Sequence, residues 1–282
     1  MKIALCNEVI RDMDFPAQCE FAATLGYDAI ELAPFTLSDE PHLLSADERA
    51  TVRRAASDAG IEIVSLHWLL VVPEGLSINS PDDALRARTI DVMRRLIGLC
   101  ADLGGSVLVH GSPSARQVPE GEDPEPYRKR ALDTFAAIAP DAEAAGMAYC
   151  IEPLATRETN FLNRLNEAAA MIDAIGSPAI RTMIDTCSAG VTESLPLPDL
   201  IGRWLPTRLI GHIQVNDPNR MGPGQGEVGF APIFKMLLDG GYDGAVAVEP
   251  FVYEPDGRAA SARAIGYIRG ILETLAAPAT AR

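Results

Sequence analysis

The feature that most constrains the fold is an alternation, repeated about eight times, between short apolar runs and longer helical patterns. The runs are rich in valine, isoleucine and leucine, and glycines such as Gly26 and Gly60 end the helical segments between them. Continuous apolar strands separated by helices predict a parallel sheet covered by helices. A closed (β/α)8 barrel and an open doubly wound sheet share this local pattern. No GxGxxG follows the first strand, which weakens the dinucleotide-binding version.

The composition fits one large domain. The chain has 282 residues, 48% hydrophobic and 22% charged, without a biased or repetitive segment. We therefore expect a single domain spanning residues 1–282. The first residues, MKIALCNEV, lack the pattern of a signal peptide, and no run approaches the roughly 20 apolar residues of a membrane span. A soluble cytoplasmic protein without a membrane partner is the expectation.

Charge and rare residues exclude several function classes. The net charge is −15, from 24 basic and 39 acidic residues, which argues against a nucleic-acid partner. None of the three lysines follows an apolar strand, so a Schiff-base mechanism lacks its nucleophile. The five cysteines form no CxxC and are expected to be reduced and mostly in the core.

Four strand-like runs end in a side chain that can bind a metal. YCIEPL ends at Glu152, RTMIDT at Asp185, LIGHIQV carries His212, and AVAVEPF ends at Glu249. A bare carboxylate is costly to bury, so each must be solvated or paired. In a barrel all strands end at one face, where these four residues would converge. Three carboxylates and one imidazole predict a site for a divalent metal.

Two loops are expected near that face. The segment from Arg220 to Gly226 is a turn rich in glycine and proline, and we interpret it as a tight loop closing over a substrate. Its backbone N–H groups could also cradle a phosphate, so the phosphorylation state of the substrate stays open. Residues 111–125 are acidic and rich in proline, and this composition predicts a mobile flap.

The motifs together resemble one family. IEPLATRE, MIDT, GHIQVNDPNR with PGQGE, and AVEPF are similar to those of the xylose-isomerase-like barrels called sugar phosphate isomerases/epimerases. The tagatose and psicose 3-epimerases are the better understood members. The resemblance covers essentially the whole chain and implies a single (β/α)8 barrel. It also implies one divalent ion held by Glu152, Asp185, His212 and Glu249, manganese first, with cobalt, magnesium or zinc as alternatives.

The resemblance also implies residues that contact the substrate. Glu158, six residues beyond the first ligand, and Arg220, before the glycine loop, match residues that contact the sugar in the family. The epimerases usually carry a histidine where this chain has Ser188, which puts ketohexose 3-epimerase specificity in doubt. His67 and His110 stand at strand ends that line the pocket in family members, and either could equally be a core histidine. Homo-oligomers are common among the relatives.

The resulting expectation is a metal-dependent isomerase or epimerase of a sugar or keto-polyol in carbohydrate metabolism. Glu152 and Glu249 would exchange a proton next to the carbonyl through an enediolate stabilised by the metal. The alternative is a dehydratase or eliminase in which the same enediolate expels a β-leaving group. A nuclease of the endonuclease IV type is disfavoured, because it would need more histidines and a basic groove than this acidic chain offers. A barrel that only binds sugar would leave a self-repulsive carboxylate cluster.

Overall fold

The computed structural model describes residues 1–276 and contains a closed barrel of eight parallel strands in chain order. The strands are β1 (Lys2–Cys6), β2 (Ala29–Leu32), β3 (Glu62–Leu66), β4 (Val107–His110), β5 (Ala148–Ile151), β6 (Ile180–Asp185), β7 (Ile210–Val215) and β8 (Ala245–Val248). Pairing of β8 with β1, from Lys2 opposite Ala245 to Leu5 opposite Val248, closes the barrel. The predicted (β/α)8 barrel is confirmed, and the open sheet is excluded.

The helices surround the barrel. They are α1 (Phe15–Leu25), α2 (Ala46–Asp58), α3 (Asp83–Leu103), α4 (Pro124–Ala144), α5 (Leu165–Ile175), α6 (Thr186–Thr192), α7 (Leu197–Trp204), α8 (Phe230–Asp239) and α9 (Gly257–Ala276). Helix α3 begins at Asp83 because the carboxylate of Asp82 caps its first N–H groups. The short helix α6 was not predicted.

The apolar core lies mainly between the strands and the helices, where it includes Ile30, Phe135 and Phe230. Val109, Cys150 and Met183, on β4, β5 and β6, form a separate small cluster. Successive strand residues point to opposite faces, so this cluster belongs to the inside of the barrel. The same alternation of side chains places Glu152 and Asp185 on the inner face above the cluster, because they lie two residues beyond Cys150 and Met183.

The inside of the barrel also holds a buried carboxylate, Glu31 on β2. It accepts a hydrogen bond of 2.6 Å from Gln214 on β7, a strand that is not a neighbour of β2, so the contact crosses the interior. Ser65 on β3 donates a short hydrogen bond to it. A register shift between Ile30 and Glu31 sets Glu31 opposite Ser65. Such irregularities often occur beside functional sites.

The segment 111–125 is fixed in its first half, so the predicted mobile flap is wrong there. Pro113–Arg116 forms a 3₁₀ helix, and the Arg116 side chain is fully buried. Its guanidinium donates to the carbonyl oxygens of Glu152 (2.7 Å) and His110 (3.1 Å). Arg116 thereby joins the ends of β4 and β5, whereas residues 119–126 are exposed.

Two features expected from composition can be compared with the described part of the chain. All five cysteines are free thiols and buried, as expected for reduced core residues. No helix among residues 1–276 combines the length and apolarity needed to cross a membrane.

A capping box at the start of α2 can be tested. Ser45 accepts from the Glu48 N–H, and the Glu48 carboxylate accepts from the Ser45 N–H. Ser45→Ala should lower the free energy of unfolding by about 1 kcal/mol, because one N–H of the first turn loses its acceptor. Urea denaturation would measure this change. Ser57→Ala, at an exposed position in the same helix, is the control and should not destabilise the protein. Equal stability of both variants would contradict a capping role.

Candidate active site

A narrow, partly enclosed cavity opens at the carboxyl ends of the strands. Three of the four predicted metal ligands line it: Glu152 after β5, Asp185 at the end of β6, and Glu249 after β8. The remaining lining residues are His67, Trp68, Gly111, Pro113, Leu154, Glu158, Ser188 and Phe251. The cavity therefore has one face rich in carboxylates and apolar walls, as is typical of sites for small ligands.

Glu152 is held between Gly111 and the strand ends. A side chain at position 111 would overlap the Glu152 carboxylate, so only glycine leaves room for it. The Glu152 carbonyl is fixed by Arg116, as described above. Burial raises the pKa of Glu152 well above its usual value, and the charges of Glu249 and Asp185 raise it further. Glu152 therefore holds a proton readily when no cation is near.

Asp185 serves as the N-cap of α6. Its two carboxylate oxygens accept from the backbone N–H groups of Cys187 (2.9 Å) and Ser188 (3.0 Å). Burial raises the pKa of Asp185 to about 6, although these two donors act in the opposite direction. The Ser188 hydroxyl lies 3.5 Å from Oε2 of Glu158. Ser188 and Glu158, two of the residues that were predicted to contact substrate, thus lie side by side on one wall of the cavity.

Glu249 has one bound oxygen and one free oxygen. Oε1 lies 3.0 Å from Nδ1 of His67 and 3.1 Å from Nε1 of Trp68, while the buried Oε2 has no partner. The other ring nitrogen of His67, Nε2, lies 3.0 Å from Oε2 of Glu8. Burial raises the pKa of Glu249 to about 8, and the hydrogen bond and charge of His67 only partly offset this effect. Burial opposes protonation of His67, but Glu8 and Glu249 still raise its pKa well above the usual value.

His212, the fourth predicted ligand, lies below the cavity and is fully buried. Its Nε2 is 2.6 Å from Oε2 of Glu31, off the axis of an ideal hydrogen bond, and its Nδ1 has no partner. Burial opposes the charged form of Glu31, but the nearby His212 and His67 still hold the pKa of this carboxyl below its usual range. A carboxylate behind an imidazole is a common arrangement behind metal-binding histidines, since it orients the ring.

These residues fit a divalent cation by their chemistry. Glu152, Asp185 and Glu249 bring three carboxylates into one buried cavity, where their mutual repulsion is unfavourable without a counter-charge. Oε2 of Glu249 and Nδ1 of His212 are buried atoms without a partner, and each is a suitable ligand atom. The fit supports the predicted ligand set on chemical grounds.

A second group of possible ligands shares Glu249. Ligand atoms of Cys6, Glu8, His67 and Glu249, all buried, lie within 4.8 Å of one another. However, both nitrogens of the His67 ring already face carboxylate oxygens at 3.0 Å. A cation bound by His67 would have to break one of these contacts. The short contacts are those of an imidazole hydrogen-bonded between two carboxylates.

The two strand-end histidines have different surroundings. His67, directly after β3, lines the cavity. His110, the last residue of β4, packs against Phe135 of α4 with the rings 5.1 Å apart, and its Nδ1 lies 3.0 Å from the Tyr149 hydroxyl. It follows the inward-pointing Val109, so the strand period turns it outward. The prediction that His110 contacts substrate is not supported, and its surroundings are those of a core histidine.

Arg220 is beside the cavity rather than in its lining. Its guanidinium carbon lies 5.1 Å from the centre of the Phe251 ring, and its carbonyl accepts from the N–H groups of Phe251 and Val252. The glycine loop beyond it packs outward, with Gly224 against Tyr267 of α9. A side chain at Gly226 would overlap the Asp217 carboxylate. The loop therefore supports the Phe251 wall, and its glycines are required for packing.

Comparison with known proteins identifies the family. Residues 19–271 match the xylose isomerase-like TIM barrel family. The chain belongs to this family. A D-psicose 3-epimerase of Agrobacterium fabrum is 30% identical over 244 residues, which cover 84% of this chain and 80% of the relative. An L-ribulose 3-epimerase of Mesorhizobium japonicum is 29% identical over 248 residues, covering 84% and 78%.

A solved structure agrees with this assignment. The crystal structure of a D-psicose 3-epimerase in the presence of D-fructose matches with a TM-score of 0.79 and 25% identity, covering 97% of this chain and 98% of that one. The sequence-based resemblance to the family is confirmed, as is the expected class of enzyme, an isomerase or epimerase.

Several site residues of this family member were not predicted. Gly111, Trp68 and Phe251 line the cavity, and Glu8 and Glu31 hold its histidines. The only signal in the sequence was position, because Glu8 and Glu31 each follow or end an apolar strand as the predicted ligands do. Aromatic and glycine residues at strand ends carry no comparable signal, since most serve in packing or turns.

The raised pKa values predict how the stability of the metal-free protein changes with pH. Glu152, Asp185 and Glu249 bind their protons more tightly in the folded than in the unfolded chain. Their contribution is therefore present at low pH and is lost as pH rises toward the folded pKa of about 8 for Glu249. The free energy of unfolding should fall between about pH 5 and about pH 8, and Glu249→Gln should reduce this fall.

Urea unfolding in EDTA would measure the effect. Glu20→Gln removes an exposed carboxylate on α1 and should leave the pH dependence as in the wild type. If the stability of Glu249→Gln depended on pH as that of the wild type does, the surroundings of the Glu249 carboxylate would not raise its pKa.

Proposed function

We propose that the protein is a divalent-metal-dependent epimerase of a ketose, moving a proton at the carbon beside the carbonyl. The observation that carries the proposal is the pair of buried glutamates, Glu152 and Glu249, which line one cavity from the ends of β5 and β8, with two strands between them. The 3-epimerases among the relatives act on D-psicose and L-ribulose by their names, which indicates the same class of substrate.

Glu152, Asp185, His212 and Glu249 would hold the ion. A bound divalent ion would supply electrophilic stabilisation of negative charge on the substrate carbonyl oxygen. Manganese is the first candidate, and cobalt, magnesium and zinc are the alternatives. Asp185 is suited to this role because its oxygens are fixed by the N-terminus of α6, which limits the reorganisation needed on binding.

The two glutamates would carry the proton transfers. One carboxylate takes the proton from the carbon beside the carbonyl, and the electron pair of the C–H bond moves toward the carbonyl oxygen, giving an enediolate. The other returns a proton to the same carbon from the opposite face, which inverts its configuration. Glu249 is suited to one of these transfers, because its Oε2 has no partner among the described residues.

The walls of the cavity would orient the substrate. Glu158 and Ser188 offer hydrogen bonds to hydroxyl groups on one side, and Trp68 and Phe251 form an apolar wall on the other. Ser188 is shorter than the histidine usual in the epimerases, so we propose that it leaves room for a different substituent at that end of the sugar. Arg220 would act from beside Phe251 rather than from the lining.

Metal content and product analysis test the proposal. The purified protein should bind one divalent ion, lose activity in EDTA and regain it with manganese or cobalt. Free ketoses, beginning with D-fructose and D-psicose, would be the first substrates. Asp185→Asn should reduce metal affinity by about tenfold or more. Cys6→Ser is the control and should leave metal content unchanged, because Cys6 belongs only to the second ligand group.

The outcomes separate the alternatives. Metal lost in Cys6→Ser and kept in Asp185→Asn would place the ion in the Cys6 group and contradict the proposed ligand set. A product of the same mass as the substrate supports epimerisation. A product that has lost water and absorbs as a conjugated carbonyl would instead establish the eliminase.

Gly111 offers a separate test of the role of Glu152. Gly111→Ala would push the Glu152 carboxylate from its place, and turnover should fall by about tenfold to a hundredfold, since small displacements of a catalytic group are costly. Steady-state kinetics would measure the loss. Gly98→Ala in α3 is the matched control because no atom lies near the added methyl group. Full activity of Gly111→Ala would contradict a requirement for Glu152 in this position.

A further inference from the structure

The carboxylate of Glu249 is bound asymmetrically. Oε1 receives two donors, Nδ1 of His67 at 3.0 Å and Nε1 of Trp68 at 3.1 Å, which come from adjacent residues after β3. Oε2 of Glu249 has no partner among the described residues, although it is buried. Two donors on one oxygen fix both the position of that oxygen and the plane of the carboxylate.

The imidazole of His67 is itself held at both ends. Its Nε2 lies 3.0 Å from Oε2 of Glu8, which is buried in the 3₁₀ helix Asn7–Ile10 that follows β1. The ring is 1% exposed, so it cannot turn away from Glu249 without breaking the contact to Glu8. Glu8 thus restrains a residue that restrains Glu249.

Trp68 has an unusual backbone that sets its direction. Its φ is 52°, in the left-handed region that residues other than glycine rarely adopt. The indole packs edge-on against Phe251, with centroids 6.3 Å apart and an angle of 78° between the rings. Phe251 lies two residues beyond Glu249, and Arg220 covers its ring. A strained backbone is commonly retained where it orients a functional side chain.

We propose that Glu8, His67 and Trp68 are positioning residues that hold the Glu249 carboxylate in one orientation and leave Oε2 free to face the proposed ion and the substrate. The inference rests on the proposed function for its catalytic meaning, but the restraint itself is a property of the protein without substrate. Holding a catalytic group within a fraction of an ångström is what preorganised sites require.

The hydrogen bond from Trp68 can be observed directly. The chain has two tryptophans, so a spectrum of protein with ¹⁵N-labelled indoles has two side-chain N–H resonances. Trp68→Phe assigns them. In metal-free protein, Glu249→Ala should move the Trp68 resonance upfield, because its acceptor is gone, and leave that of Trp204 in place. If neither resonance moves, the restraint does not exist. This result is independent of whether the protein is an epimerase.

Kinetics then test the positioning role. Trp68→Phe keeps an aromatic ring against Phe251 and removes the donor, so kcat should fall by about tenfold to a hundredfold with KM changed by less than about threefold. His67→Gln should act in the same way. Trp204→Phe, on the outer helix α7, is the matched control and should retain full activity. A rise in KM with kcat unchanged would show that Trp68 acts through substrate binding alone and would overturn the inference.

Metal titration distinguishes the positioning role of Glu8 and His67 from metal binding by the same two residues. The positioning role expects one ion per chain and unchanged affinity in Glu8→Gln. Binding of a second ion, lost in Glu8→Gln, would show that Glu8 and His67 form a metal site and would overturn the proposal.

Discussion

The site depends on bringing carboxylates together inside a barrel from which water is largely excluded. Glu152, Asp185 and Glu249 line one small cavity, with Glu8 and Glu31 behind them. An ionised carboxylate in such a place is stable only beside donors or positive charge. The donors around these groups are unequal, and where they offset burial incompletely, as at Asp185 and Glu249, the pKa of the carboxyl stays raised.

The supply of donors divides the carboxylates into two sets. Glu31 has Ser65, Gln214 and the nearby His212, and it remains ionised. At Glu152 and Glu249 burial outweighs the donors, and the pKa of each carboxyl is raised in the absence of a cation. The first set is structural and orients imidazoles; the second can take and return protons or bind a cation. One chemical group performs both roles because its neighbours differ.

Much of this arrangement could be predicted from sequence, because the relevant signals are local. Apolar runs and helix-ending glycines such as Gly26 predicted the barrel, and carboxylates at strand ends predicted that Glu152, Asp185 and Glu249 would meet. The two histidines show the limit. His67 and His110 both stand at strand ends, but they differ by one position in the alternation of side chains between the two faces. His67 therefore faces the cavity and His110 faces α4. Strand ends cannot be located that closely from sequence.

Long-range contacts could not be predicted at all. The left-handed backbone of Trp68 and the bond from Arg116 to the Glu152 carbonyl depend on the assembled fold.

Arg116 divides the segment after β4 into a fixed part and an exposed part, and this division has a consequence for how such an enzyme can evolve. The part before residue 118 is tied to two strands through Arg116, whereas residues 119–122 are exposed and precede the N-cap of α4. Insertions there would lengthen the loop without breaking the contacts that hold the ends of β4 and β5, so this stretch can vary while the carboxylates stay in place.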